Sequence, residues 1–369
     1  MNAERLHAIA IAVIDDINRT KTDSTLQTLV KSLQNQVSQP QSPEFQQQVS
    51  QHLTTLCTTL IDAPSNSFSP AWREALNELG LHDLLGNNLR SRIQEIFQRN
   101  QITPSVALEE LRSLHQQLAA CKASLGQLIA SFQQLKIGAE ELAPGQCEVG
   151  VLVPRLAVNN KLNEFAKDLG DLSNIFGAFS ELTTGSRPGF DIRSISSSDL
   201  NVFLEMLPVV AAAIAVAVER LVGLYKQTLE IKKLHRELRN TGIPSEELKG
   251  ILNYPNTIMK EGIEQLTTDL LNKYYDKKDE GRGHELTTEL RFSLNKIAKR
   301  IDKGYSVEVR VQPITEEEQA TGKGGKTCEN AEHIQVILAA SKNIEFLLME
   351  GEPILTLPES PDNTENNRE

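Results

Sequence analysis

Between Leu200 and Thr228 the chain repeats apolar residues at alternating steps of four and three: Leu200, Leu204, Leu207, Ala211, Ile214, Val218, Leu221, Tyr225 and Thr228. That rhythm keeps one seam of a helix turned toward a neighbouring helix. It predicts a long, central, coiled-coil-like helix over 198–240. Ser196 and Asp199 are spaced like a capping box that uses Asp in place of Glu. Pro208 then falls inside the pattern, where a missing N–H and a ring clash predict a kink or a restart. Ala211, Ala212, Ala213, Ala215 and Ala217 lack bulk and permit close approach from more than one side.

Glutamine and charge divide the chain near residue 146. Residues 1–146 hold 18 of the 23 glutamines but only 25 of the 87 charged residues, and Ala143-Pro144-Gly145 marks a turn at the change. The first segment, 1–143, reads as a Gln-rich helical bundle. Ile9, Val13 and Ile17 give one amphipathic face, Leu26, Leu29 and Leu33 a second, and Val49, Leu53, Leu56 and Leu60 a third. Ser69-Pro70 starts a short helix, and Leu111 to Leu135 alternates at three and four after Thr103-Pro104. The second segment, 146–357, mixes helices with β-like runs at 148–153, 190–196 and 305–312, with a fourth short run at 354–357. The fold class is therefore mainly α: an N-terminal helical bundle, then an α+β segment with a small three- to four-stranded sheet and the long helix. Residues 358–369 carry Pro, Asn and Glu without apolar anchors, which predicts a disordered acidic tail.

Chemistry is less legible. A net charge of -11 repels nucleic acid and anionic membranes as a whole. Cys57, Cys121, Cys147 and Cys328 are far apart and make no metal-ribbon or disulfide pattern, which fits reduced cytoplasmic thiols in a bacterial-type protein. Seven scattered histidines show no metal-ligand spacing, so no metal and no cofactor is expected. No catalytic set is assigned. Residues 320–327 form a relaxed phosphate-loop pattern, making Gly325, Lys326 and Thr327 a weak phosphate-binding candidate. Pro313 and Glu316-Glu317-Glu318 stand where the strand feeding such a loop belongs. Arg193 with Ser194 to Ser198 admits an anion site at a helix start, although capping accounts for the same residues. Basic residues on 232–239 and on Lys296, Lys299, Arg300 and Lys303 make one positive surface if their helices are neighbours, though such runs are usually solvated faces.

These observations lead to a non-catalytic scaffold or interaction protein. It is expected to self-associate through Leu204, Leu207, Ala211, Ile214, Val218, Leu221 and Tyr225, and to recruit another protein through the N-terminal helices. Two alternatives are a membrane-acting effector that exposes 202–218 and a nucleotide-gated switch at 320–327. The apolar run is interrupted by Glu205 and Pro208 and is short of the roughly 20 residues that span a bilayer.

Overall fold

The computed structural model describes residues 3–140, 142–196, 200–240, 249–275, 280–313, 327–344 and 353–360. The chain divides into two compact units, 1–141 and 142–369, each with its own hydrophobic core. The division falls beside the turn at 143–145.

The first unit is all helix. Its elements are α1 (Ala3–Thr20), α2 (Thr22–Ser38), α3 (Pro43–Ile61), α4 (Pro70–Glu78), α5 (Gly86–Arg99) and α6 (Pro104–Gln134). Helix α2 packs on α3 and α6, while α1 also packs on α6 and α5 closes against α3. The apolar periodicities become the core: Ile9, Val13 and Ile17 of α1, Leu26, Leu29 and Leu33 of α2, and Leu111, Leu114 and Leu118 of α6 are all nearly inaccessible. Ser69 accepts the Trp72 N–H at 3.4 Å, with Pro70 in the first turn, so the expected cap starts α4. The α6 seam ends before Leu135, which lies past the helix and is exposed.

The second unit sets β1 (Cys147–Val153), α7 (Leu162–Thr184), β2 (Asp191–Ser196), β3 (Leu200–Met206), α8 (Pro208–Asn240), α9 (Lys249–Tyr274), α10 (Glu280–Asp302), β4 (Ser306–Val311) and α11 (Thr327–Asn343) in chain order. The strands form an antiparallel sheet in the order β2-β3-β1-β4.

The long-helix expectation is corrected at its start. Residues 200–206 form β3, paired with β1 from Met206 opposite Cys147 to Leu200 opposite Val153. Leu200, Val202, Leu204 and Met206 alternate onto one face of the sheet, and a four-residue step from Leu200 to Leu204 fits a strand as well as a helix. Pro208 does not kink a helix; it begins one. The Leu207 carbonyl accepts the Ala211 N–H at 3.0 Å, and a Pro at the first position loses no hydrogen bond there. Ser196 is the last residue of β2 and so precedes no helix, and Asp199 lies outside the described residues.

From Val210 to Val218, α8 runs through the centre of this unit, and beyond it Leu221, Val222 and Tyr225 stay buried while Arg220 and Gly223 reach the surface. Ala211, Ala212, Ala213, Ala215 and Ala217 are all 0 % exposed. A helix buried on every side needs small residues where neighbours come close. Those neighbours are α7, α9, α10, α11 and the strands β1 and β4.

On the opposite face of the sheet, Gly150 sits across from Phe203 and Glu308. A Cβ at Gly150 would lie 2.5 Å from the Phe203 ring and 3.0 Å from the Glu308 side chain. Phe203 is 2 % exposed and has nowhere to go. Gly150→Ala is expected to cost about 2 kcal/mol by overpacking, read as a lowered denaturant midpoint; an unchanged midpoint would contradict this packing.

The fourth β-like run is also corrected. Residues 354–357 are extended but join no strand; the N–H groups of Ile354, Leu355 and Thr356 are taken by side chains. Helix α9 begins before Pro255 and carries it internally. Glu280 to Gly283 form the first turn of α10, although a polar stretch with two glycines, Lys277 to Gly283, reads in the sequence as a solvated loop. Of the predicted acidic tail, 361–369 lie outside the described residues, whereas Pro358 and Glu359 are engaged with α10.

Candidate functional site

Of the residues expected to join copies of the chain, Ala211, Ile214, Val218, Leu221 and Tyr225 are 0–1 % exposed inside the second unit. A second copy cannot reach them without opening that unit. Leu204 is half-buried on β3 and Leu207 is 56 % exposed between β3 and α8, so the seven do not form one surface. The segment 202–218 is likewise part strand and part helix. Within the described residues, Pro208–Leu234 is one helix long and apolar enough to cross a membrane, and most of its apolar window is buried in the chain. Gly325 and Lys326 of the phosphate-loop candidate lie outside the described residues, and Thr327 is the first residue of α11.

Arg193 does not wait for an anion. It pairs with Glu148 at 3.3 Å, and Arg310 approaches the same carboxylate from β4 at 3.3 Å. Glu148 is 1 % exposed, so both guanidinium groups answer a charge that burial alone would make costly.

The structure instead assembles charge between α7 and α10. Helix α10 buries Leu286, Leu290, Leu294 and Ile297, and this orientation turns Lys296, Lys299, Arg300 and Lys303 toward α7. Helix α7 buries Leu172, Ile175, Phe176 and Phe179 and contributes Lys167 with Glu164, Asp168 and Asp171. Between them lies a polar cleft of about 180 Å3. Arg300 donates to Asp168 from Nε at 3.2 Å and from Nη2 at 2.8 Å. Asp171 lies 3.5 Å from Arg300 and 3.8 Å from Lys296. Tyr305 lines the same cleft; burial, then the Asp168 charge, push its phenol well above the ordinary range, so it stays protonated.

The C-terminal segment closes one side. Asp302, 1 % exposed at the end of α10, accepts the Tyr225 hydroxyl at 2.7 Å and the N–H groups of Ile354 and Leu355 at 2.7 and 2.6 Å. Asn256 accepts the Thr356 N–H at 2.8 Å, and Asn295 donates to the Pro358 carbonyl at 2.8 Å. Leu355 and Leu357 thereby enter the core, and Glu359 is delivered onto Lys299. Burial pushes the Glu359 carboxyl up, but the Lys299 hydrogen bond and the charges of Lys299, Lys303 and Arg300 together hold it below its ordinary value. Lys167 and Lys303 make no ion pair among the described residues.

A larger groove of about 610 Å3 adjoins the cleft and shares Lys296 and Glu359 with it. Ile175 and Phe292 form its apolar floor, with His284, Thr288 and Ser293 along α10. The sequence pointed to the basic face of α10, but it paired that face with α8 residues 232–239. None of the α8 residues with described side chains lines the cleft, and the side chains of His235, Arg236 and Arg239 lie outside those described; the acidic partners on α7 have no signal in the sequence beyond their charge.

In the first unit, the outward side of α3 exposes Gln46, Gln47, Ser50, Gln51, Thr54, Thr55 and Thr58. The only charged residue of the helix is Glu44 in its first turn. Thr54, Thr55 and Thr58 donate their hydroxyls to the carbonyls four residues earlier, at 2.8, 2.9 and 2.9 Å. Their hydroxyl donors are already satisfied, which lowers the cost of desolvating these three threonines.

Among the described residues no group of His, Cys, Asp or Glu is arranged to hold a metal ion. Cys57, Cys121 and Cys147 are free thiols, and burial pushes that of Cys147 up to about 12, which removes it as a nucleophile. No family model, curated protein or solved structure matches the chain.

Proposed function

We propose that this chain is a non-catalytic helical interaction protein that self-associates through the outer face of α3 and acts in the cytoplasm, recruiting a protein partner through its Gln-rich unit. The observation that carries the reading is the charge-free face from Gln46 to Thr58, on which the three threonine hydroxyls already donate within the helix. Copies that each carry a net charge of -11 repel one another. They meet at least cost where neither presents charge, and interface centres are depleted of charged residues for the same reason. The free thiols support a reducing compartment.

The face is about 18 Å long, at about 1.5 Å per residue, and one helix wide. Such a patch is smaller than the roughly 800 Å2 per partner of a standard stable interface. The dimer is therefore weak, with dissociation in the micromolar range. Light scattering between about 1 μM and about 1 mM is expected to show a monomer becoming a dimer. Gln51→Glu with Thr58→Glu keeps the helix and abolishes the dimer. A monomer at every concentration, or a dimer indifferent to these two charges, would refute self-association through α3.

A further inference from the structure

We propose that the cleft between α7 and α10 binds the phosphoryl group of an organic phosphate monoester, with Glu359 as its built-in competitor. This site lies in the second unit and stands independently of self-association through α3.

Charge is the first argument. Five cations line the cleft, Lys167, Lys296, Lys299, Arg300 and Lys303, against four carboxylates, Glu164, Asp168, Asp171 and Glu359. Without Glu359 the balance is five against three, a surplus of two positive charges in a protein of net charge -11. A phosphate monoester carries close to two negative charges at neutral pH. The chain already places an anion at this spot, since Glu359 sits on Lys299 with Lys303 and Arg300 acting on it. Lysines bind a phosphoryl group as mobile point charges, while Arg300, held by Asp168, supplies a fixed positive wall.

Size is the second argument. A cleft of about 180 Å3 is below the about 300 Å3 at which pockets for whole drug-sized ligands begin. It takes a head group only. The 610 Å3 groove shares Lys296 and Glu359 with the cleft and is lined by Ile175 and Phe292, which offers the remainder of the ligand an apolar neighbour, so an apolar or aromatic ester should bind more tightly than inorganic phosphate.

Calorimetry on the full chain with phenyl phosphate tests this. Binding is expected to be tighter than for inorganic phosphate. Glu359→Gln, which removes the competing charge but keeps Leu355 and Leu357 in the core, should tighten binding about fivefold, the weight of one partly exposed ion pair. Lys299→Glu with Lys303→Glu should abolish binding while the circular dichroism spectrum stays unchanged. Vesicles of phosphatidylcholine carrying phosphatidic acid form a second arm: their capture assigns the monoester to a lipid head group, and binding of phenyl phosphate alone assigns it to a free ligand. No heat with phenyl phosphate for either the native chain or Glu359→Gln, or equal binding by the double lysine variant, would overturn the proposal.

Discussion

Ile214→Asp, alone or with Leu221→Asp, is expected to unfold the second unit and leave the first unit's transition in place. Both side chains are 0 % exposed, with α7, α9, α10 and α11 packed around their helix. A carboxylate there has neither water nor a cation, and the penalty exceeds about 5 kcal/mol, comparable to the whole stability of a domain. Two-transition melting followed by circular dichroism checks it: the variant should lose one transition and keep the helical signal of α1 to α6. A variant that stays fully folded, merely changing its mass in solution, would mean that the seam joins separate chains and that the packing described for α8 is wrong.

The helices of the first unit were legible because each buries one stripe, so the periods of Ile9, Val13 and Ile17 or of Leu111, Leu114 and Leu118 map directly onto the core. Helix α8 was legible as a central rod because five alanines leave no bulky outer face. Its start was not. Leu200 and Leu204 satisfy both a helical step of four and two strand steps of two, and only the pairing with β1 decides between them. Pro208 carried the missing signal, since a proline is tolerated at a helix start and costly within one. The seam was visible, but whether it faces the same chain or another copy depends on α9, α10 and α11 folding back over it, which no local spacing encodes. The α7–α10 cleft was half visible for the same reason. Lys296, Lys299, Arg300 and Lys303 stand out on one helix, whereas Asp168, Asp171 and Glu359 reach them from residues more than 50 positions away.

Asp302→Ala is expected to release the C-terminal segment. Its carboxylate answers three donors at once, the Tyr225 hydroxyl and two backbone N–H groups, all within 2.7 Å. Each buried donor left without an acceptor costs about 1–3 kcal/mol, so the loss amounts to about 3–9 kcal/mol. Tyr225→Phe removes one of the three bonds and should cost only about 1 kcal/mol, with the segment still seated. Hydrogen exchange at Ile354 and Leu355 separates the two variants: fast in Asp302→Ala, slow in Tyr225→Phe. Equal protection in both would show that Leu355 and Leu357 hold the segment by apolar contact alone. Because Glu359 is carried by this segment, Asp302→Ala should also free the basic cleft.

The central claim is that α8 is buried by its own chain. Hydrogen exchange over Val210 to Tyr225, measured as the protein is diluted, tests it most directly. Protection that stays high and independent of concentration is the expected result. Protection that falls away on dilution would show that the burial comes from a second copy, and the account of the second unit would fail.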